Sequence, residues 1–233
     1  MPFLEATNLH KTYRLGRSNK VYALRGVDMS IESGEMVAIM GPSGCGKSTL
    51  MHILGLLHGP DQDQDAPATL SINGNDVTGM SDKERTRMRA SSMGFVFQNF
   101  NLVPTLTAAE NVALPAVYSG RKRSEAKEAA AEALDWVGLS EWADHRPTEL
   151  SGGQQQRVAI ARAQVMKPDL LLADEPTGNL DSASTTELLD LLQRFNRDQG
   201  QTIVIVTHDA VVGDACGRVL SMLDGEIVGA PAS

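Results

Sequence analysis

The sequence has few cysteines, few aromatic residues and no long apolar run, and each shortage excludes a class of protein. Its 233 residues include only two cysteines, Cys45 and Cys216, which are too few for a disulfide framework, and no Cys-x-x-Cys pair suggests a zinc site. Aromatic residues make up 4% of a chain that is 42% hydrophobic, so we expect an aliphatic core. No apolar stretch approaches the roughly 18 residues that a membrane-spanning helix needs.

Basic charge is also scarce. The 29 acidic residues outnumber the 21 lysines and arginines, which gives a formal net charge of −8. Because a nucleic-acid backbone is bound by clustered lysine and arginine, this balance argues against nucleic acid as the main partner. The start of the chain has no basic segment followed by an apolar run, so no secretory signal is expected. These features predict a soluble, cytoplasmic protein with one large domain, or one domain with a sizeable insertion.

Short aliphatic runs alternate with helical patterns along much of the chain. Near-continuous runs such as "TIVIV" are typical of parallel strands covered on both faces, and their alternation with helices predicts an α/β layered domain. The predicted strands are residues 34–40, 69–73, 93–98, 169–175, 202–208 and 218–223, and the predicted core helices are 47–57 and 183–199.

The character of the sequence changes between Gln98 and Ser151, where Ala- and Glu-rich helix formers replace the strand patterns. This change predicts a mainly helical subdomain at about residues 99–149. The subdomain is inserted into an α/β core that consists of residues 1–98 and 150–233.

An acidic stretch, "PDQDQDAPA" at residues 60–68, precedes one predicted strand. Its alternating aspartates could bind a cation. Polar residues and prolines of this kind are more typical of a solvated surface loop, which is the interpretation we prefer.

A complete phosphate-loop motif, "GPSGCGKS", follows the predicted strand at 34–40 and opens the helix at 47–57. Glycines allow backbone N–H groups to face a β-phosphate, while Lys47 reaches the β- and γ-phosphates and the hydroxyl of Ser48 can bind Mg²⁺. The flanking strand and helix distinguish the motif from a chance glycine-rich turn. The motif therefore predicts ATP and Mg²⁺ as ligands, held by Gly41, Pro42, Ser43, Gly44, Cys45, Gly46, Lys47, Ser48 and Thr49.

Four polar side chains end predicted strands, where ligands of open α/β sheets bind. Asp174 is placed for the Mg²⁺ shell and Glu175 lies near the γ-phosphate. Gln98 could touch Mg²⁺ or the attacking water, and His208 could contact the γ-phosphate. Alone, an Asp-Glu pair is more often a loop cap, and a residue such as Gln98 or His208 more often has a structural role. Together with a phosphate loop, these four residues predict a catalytic site that also includes Lys47.

A second anion-binding pattern occurs in "LSGGQ" at residues 150–154. A hydroxyl and two adjacent glycines before an amphipathic run predict a backbone cradle at a helix N-terminus. One chain thus carries two phosphate-binding patterns, and the second consists of Ser151, Gly152, Gly153 and Gln154.

Taken together, these motifs resemble the ATP-binding subunits of ABC transporters in identity and order. The phosphate loop, Gln98, "LSGGQ", "LLLADE", "GNLD" and His208 all match, and the resemblance covers about residues 3–228. It implies a P-loop NTPase core of mainly parallel strands with an inserted helical subdomain and a small antiparallel β region. It also implies that Tyr13 stacks on adenine, that Glu175 activates the hydrolytic water and that His208 senses the γ-phosphate. It further implies head-to-tail ATP sites in a homodimer, or in paired ATPase subunits, where Ser151–Gly153 of one subunit closes on the γ-phosphate held by the other.

Within the family, the segments "ELSGGQQQRVAIARA" and "ADEPTGNLDS" are similar to the lipoprotein-releasing, macrolide-exporting and cell-division ATPases of the type VII, or mechanotransmission, group. The chain departs from that pattern in its longer acidic loop and in Gln164, where an aliphatic residue is usual. Repair ATPases of related design carry coiled coils or zinc modules, and translation factors carry two such domains; this chain has none of these.

The resemblance implies an ATPase that drives a separate transmembrane permease from the inner face of the membrane. The alternatives are a cell-division regulator without transport and an amino-acid-type importer ATPase. A groove for the permease is expected near residues 98–106, with Phe100, Leu102 and Val103 exposed; otherwise these three side chains pack inside the helical subdomain.

Overall fold

In the computed structural model, which describes residues 2–16, 19–62 and 66–228, the chain divides into two compact units. The first contains Met1–Arg87 and Thr202–Ser233, and the second contains Met88–Gln201. The boundaries of these units differ from those of the subdomain predicted at about residues 99–149, and the subdomain boundaries stay a prediction.

The first unit contains a small antiparallel sheet with the strand order β2-β1-β4-β5. Its strands are β1 (Leu4–Leu15), β2 (Asn19–Ile31), β4 (Thr69–Ile72) and β5 (Asn75–Asp76). Shifts in the β1–β2 register, between Ala6 and Leu9, Leu9 and His10, and Lys11 and Thr12, interrupt the alternation of apolar and polar residues. This is why neither long strand stands out in the sequence.

The first unit also contains the strands that lead to the phosphate loop. They are β3 (Met36–Met40), β8 (Thr202–Thr207), β9 (Arg218–Leu223) and β10 (Glu226–Ile227). β3 pairs in parallel with both β8 and β9, while β10 runs antiparallel to β9. All six residues of β8 are buried, as expected for a strand covered on both faces. Its helices are α1 (Lys47–Leu54) and α7 (Ala210–Asp214).

The second unit combines a parallel strand pair with helices. Strand β6 (Met93–Phe97) pairs with β7 (Leu170–Asp174), and residues 99–149, all of which are described, contain no strand. The helices are α3 (Ala108–Tyr118), α4 (Arg123–Trp136), α5 (Gly152–Gln164) and α6 (Ser182–Gln199), with short 3-10 helices at Ser140–Trp142 and Pro147–Glu149. Helix α2 (Asp82–Ser92) spans the boundary between the units and has no buried residue.

Local sequence signals define the ends of the helices. Thr107 and Glu110 form a capping box at the start of α3, since each side chain accepts a hydrogen bond from the backbone N–H of the other. Asp181 caps α6 by accepting from the N–H of Ser184 at 2.7 Å, and this bond lowers the pKa of the Asp181 carboxyl.

Across the described residues, no helix has the length and apolar character that a membrane span requires.

Candidate functional site

The phosphate loop lies between β3 and α1 and is held against neighbouring backbone. A Cβ on Gly41 would lie 2.1 Å from the carbonyl oxygen of Met222, and one on Gly46 would lie 2.3 Å from that of Ala23. Gly46 also has a φ of 107°, which an L side chain rarely adopts. The motif glycines are therefore required by close backbone approach, and they leave the N–H groups of the first turn of α1 available to an anion.

Lys47 supplies a positive charge at the loop. Its side chain is 7% exposed, and Nζ donates to the carbonyl oxygens of Gly41 at 2.7 Å and Pro42 at 3.0 Å. An ammonium group held over a loop of backbone N–H groups forms a site that suits a polyphosphate.

The middle of the loop is exposed and its cysteine is not. Pro42, Ser43, Gly44 and Ser48 are exposed, and Thr49 is half-buried. The side chain of Cys45 is buried at 5% exposure, its N–H donates to Pro42, and its carbonyl accepts from Gly225 at 2.9 Å. Any contact between residue 45 and a nucleotide therefore uses its backbone.

His208 lies at the same sheet edge as the phosphate loop. Thr207, the last residue of β8, pairs with Met40, the last residue of β3, so the residues that follow both strands are neighbours. His208 is exposed, and Asp209 caps α7 by accepting from the N–H of Val211 at 2.9 Å. The first unit thus brings the predicted histidine and phosphate loop together.

Tyr13 lies near the end of β1, where it pairs with Val21 of β2. The ring is half-buried, and the ammonium nitrogen of Lys11 lies 6.0 Å from its centroid. This distance is at the limit of a cation–π contact.

The second unit collects the polar residues that follow β6 and β7. Phe97 pairs with Asp174, so Gln98 and Glu175 leave the two strands side by side. Gln98 is exposed, whereas Asp174 and Glu175 are half-buried. Glu175 has a φ of 46°, a left-handed conformation that is uncommon outside glycine and occurs at functional sites.

The "GNLD" segment contacts Gln98 directly, which the order of the motifs does not reveal. Asn179 Nδ2 donates to the carbonyl oxygen of Gln98 at 2.9 Å and to Asn99 Oδ1 at 3.2 Å. A Cβ on Gly178 would lie 2.6 Å from Gln98 Nε2. Asn179 and Gly178 therefore help to position Gln98.

The "LSGGQ" residues form the N-terminus of α5. Ser151 and Gln154 form a capping box: the Ser151 N–H donates to Gln154 Oε1 at 2.8 Å, and Ser151 Oγ accepts from the Gln154 N–H at 3.3 Å. A Cβ on Gly153 would lie 2.9 Å from Ser184 Oγ. The two glycines thus open a helix end whose N–H groups can bind an anion.

Two further residues on α5 hold the loops around Gln98 and Glu175, and the sequence motifs do not point to them. Gln156 is buried and donates from Nε2 to the carbonyl oxygen of Pro176 at 2.6 Å. Arg162 donates to the carbonyl oxygens of Phe100 and Asn101, two residues with positive φ. Burial lowers the pKa of Arg162. For Gln156 the sequence signal is a polar side chain at a position that the helix buries, whereas Arg162 is half-buried and has no such signal.

The candidate metal ligands are distributed over both units. Ser48 belongs to the first unit, and Gln98 and Asp174 belong to the second. Each offers an oxygen atom, the donor that Mg²⁺ prefers. In the described part of the chain, no group of three or more His, Cys, Asp or Glu side chains could hold a metal by itself.

The ABC transporter family model matches residues 24–178 of the chain. The macrolide export ATP-binding/permease protein MacB of Chlorobaculum tepidum is 48% identical over 225 residues, which are 97% of this chain and 33% of that protein. The lipoprotein-releasing system ATP-binding protein LolD 1 of Rhodopseudomonas palustris is 43% identical over 97% of this chain and 98% of its own. The cassette MJ0796, solved as a dimer and also with ADP and phosphate bound, matches with a TM-score of 0.87 and 42% identity over 97% of both chains.

The chain belongs to the ABC transporter family, as an ATP-binding cassette of the P-loop α/β fold. This confirms the predicted fold class, the predicted resemblance to the MacB and LolD group, and the prediction that the protein is an ATPase. The chain spans about a third of the length of its MacB relatives.

Proposed function

We propose that this chain hydrolyses Mg²⁺-ATP at composite sites in a head-to-tail homodimer and thereby drives a separate transmembrane permease. The observation that carries the proposal is the presence of two anion cradles in different compact units. One is the phosphate loop at the start of α1, and the other is the "LSGGQ" end of α5. Each ends in helix N–H groups, so each can hold phosphate oxygens.

The residue roles follow from the chemistry of the side chains. Lys47 and the loop N–H groups bind the β- and γ-phosphates, and Tyr13 stacks on adenine. Glu175 accepts a proton from the attacking water, His208 contacts the γ-phosphate, and Gln98 orients the water. Ser48, Asp174 and Gln98 would hold Mg²⁺, which would neutralise negative charge on the phosphates.

The dimer is proposed because the "LSGGQ" cradle is a second anion-binding site on a chain that has one phosphate loop. The similar cassette MJ0796 forms a dimer in its solved structure, which supports the same assembly here. A head-to-tail arrangement assigns Ser151, Gly152, Gly153 and Gln154 to the γ-phosphate bound by the partner.

The helical region of the second unit carries a surface that suits a permease. Val103 is 38% exposed and Tyr118 is 85% exposed, whereas Phe100 and Leu102 are half-buried. Buried Asn111 fixes the backbone at Val103. Its side chain donates to the Val103 carbonyl oxygen and accepts from the Val103 N–H at 2.7 Å. Val103 on this loop and Tyr118 at the end of α3 are exposed apolar side chains of the kind that favour a protein partner. The permease would place the ATPase at the inner face of the membrane.

The relatives narrow the class of complex. One is named as a macrolide export protein and another as part of a lipoprotein-releasing system. We therefore favour export or lipoprotein release over the importer and the cell-division alternatives.

The proposal is tested with the purified chain and a candidate permease chosen from the genes adjacent to its own. We expect ATP hydrolysis that EDTA abolishes and Lys47→Ala removes. We also expect the chain to co-purify with the permease. The Tyr118→Arg substitution should weaken this co-purification and leave the ATPase activity of the isolated chain unchanged. A chain that hydrolyses no ATP with or without the permease contradicts the enzymatic proposal, and Tyr118→Arg that co-purifies like wild type contradicts the docking surface.

A further inference from the structure

The acidic loop continues the edge of β1 beyond the point where β4 ends. Strand β4 pairs with β1 only as far as Thr7, opposite Thr69. Further along β1, Asn8 Nδ2 donates to the carbonyl oxygen of Ala66 at 2.7 Å, and the N–H of Asp61 donates to the carbonyl oxygen of His10 at 2.8 Å. The described parts of the loop thus run beside β1 towards Tyr13; residues 63–65 lie outside the described residues.

Asp61 makes two further contacts with its carboxylate. Oδ2 accepts from the backbone N–H of Thr12 at 2.6 Å, and Oδ1 lies 3.3 Å from Lys11 Nζ. Lys11 Nζ also donates to the carbonyl oxygen of Gly59 at 2.7 Å. The Lys11 side chain is only 18% exposed and that of Asp61 39%, so water screens the pair incompletely. The expectation that this loop is simply solvated is therefore wrong for Asp61.

These contacts are made at the end of β1, where its pairing with β2 is irregular. The β1–β2 register shifts between Lys11 and Thr12, so regular pairing is interrupted just before Tyr13. Asp61 pairs with the His10 carbonyl and the Thr12 N–H, two groups on the side of β1 that β4 no longer covers. Lys11 and Tyr13 are nevertheless neighbours, since the Lys11 ammonium nitrogen lies 6.0 Å from the centroid of the Tyr13 ring.

The same segment links both ends of the proposed nucleotide site. Helix α1 begins at the phosphate loop and ends at Leu54, and the chain then continues through Gly59 to Asp61. The contacts of Asp61 with β1 therefore join the segment that follows α1 to the strand that carries Tyr13.

We infer that Asp61, acting through Thr12 and Lys11, is a positioning residue that fixes Tyr13 for stacking on the adenine ring. The inference rests on the proposed function, because it requires that Tyr13 contacts adenine. It assigns a role to the part of the acidic loop that differs from the usual family turn. In this assignment Asp61 contacts neither the phosphates nor the adenine, so its loss weakens the contact with the base and leaves the contacts with the phosphates unchanged.

The test compares ATP with inorganic tripolyphosphate, which has the phosphates and no base. Dissociation constants for both are measured by calorimetry on wild type, Asp61→Ala, Tyr13→Ala and the double variant. Glu5→Gln, which removes an exposed carboxylate from the same strand, is the matched control. We expect Tyr13→Ala to weaken ATP binding about tenfold or more, as loss of a base–aromatic stack does. We expect Asp61→Ala to weaken it about three- to tenfold, with tripolyphosphate unchanged for both.

In the double variant, Asp61→Ala should add nothing to the loss from Tyr13→Ala, because both act through one contact. An ATP affinity unchanged in Asp61→Ala, an equal loss for ATP and tripolyphosphate, or additive losses in the double variant would overturn the inference. Lys11→Met keeps the contact between Asp61 and Thr12 and is therefore a milder variant, with a smaller loss of ATP affinity and no change for tripolyphosphate. It replaces Asp61→Ala in the test if that variant does not fold. A Tyr13→Ala variant that binds ATP like wild type would instead refute the adenine contact in the proposed function.

Discussion

Gln164 on α5 and Gln201 form a reciprocal amide pair inside the second unit. Gln164 Nε2 donates to Gln201 Oε1, and Gln201 Nε2 donates back to Gln164 Oε1 at 3.0 Å and to the carbonyl oxygen of Pro168 at 2.9 Å. Both side chains are buried, at 7% and 6% exposure. The glutamine that departs from the usual aliphatic residue is thus matched by a polar partner 37 residues along the chain.

Replacing Gln164 alone with leucine, the usual kind of residue, should destabilise this protein. Gln164→Leu leaves the amide of Gln201 without one buried donor and one buried acceptor, which costs about 1–3 kcal/mol of unfolding free energy. The measurement is urea unfolding, with the exposed Gln199→Leu on α6 as control, expected within about 0.5 kcal/mol of wild type. A Gln164→Leu variant as stable as wild type would show that the pair contributes nothing.

This pair illustrates what the sequence could and could not predict. Compact aliphatic strands such as β3 and β8, and the phosphate loop between β3 and α1, were readable because local composition determines them. Strands β1 and β2 were missed because register shifts disrupt their alternation, and α2 because it buries no residue and so has no apolar face.

The contacts that position the site were harder to predict than the site residues. Gln98 and Glu175 could be named because each follows an apolar strand. Asn179 with Gln98, Asp61 with Thr12, and Gln164 with Gln201 are pairs from distant parts of the chain, and no local pattern links them.

Glu175→Gln should separate ATP binding from hydrolysis. The amide is nearly isosteric but cannot accept the proton of the attacking water, so turnover should fall by on the order of 10²–10⁴. ATP binding should persist, and the variant should accumulate as an ATP-bound dimer in size-exclusion chromatography. Unchanged turnover would remove Glu175 from the mechanism.

Gly178→Ala should impair activity with little effect on stability. The added Cβ meets the end of the Gln98 side chain, which can move away at small cost but then leaves its position. We expect a reduced kcat and a melting temperature close to wild type. Gly79→Ala, whose Cβ meets nothing within 4 Å, is the control and should change neither quantity. A normal kcat for Gly178→Ala would argue that the orientation of Gln98 does not matter.

The two cysteines should respond differently to maleimide. Burial raises the pKa of the Cys216 thiol to about 12, so its reactive thiolate is scarce at pH 7 and becomes abundant only as the pH approaches that value. Inhibition of ATPase activity at pH 7 should therefore arise at Cys45, whose side chain is buried at 5% exposure and reacts only when the phosphate loop opens. Bound ATP should protect, and Cys45→Ala should resist. Equal sensitivity of Cys45→Ala would assign the inhibition elsewhere.

The central claim is that each ATP site is completed by two copies of the chain, and mixing inactive variants tests it. Lys47→Ala disables the phosphate loop and Ser151→Arg blocks the "LSGGQ" cradle, so each variant alone should be nearly inactive. In a mixed head-to-tail dimer, one site carries both lesions and the other carries neither. The intact site combines Lys47 of the second variant with Ser151 of the first.

The decisive measurement is the ATPase rate of the Lys47→Ala and Ser151→Arg mixture, at protein concentrations that favour dimers. Shared sites predict that activity returns on mixing. They also predict that Lys47→Ala mixed with Glu175→Gln stays inactive, because those two lesions fall in the same half of the composite site and spoil both sites of the dimer. No recovery in the first mixture, with mixed dimers shown to form by differential tagging, or equal recovery in both mixtures, would contradict the shared site.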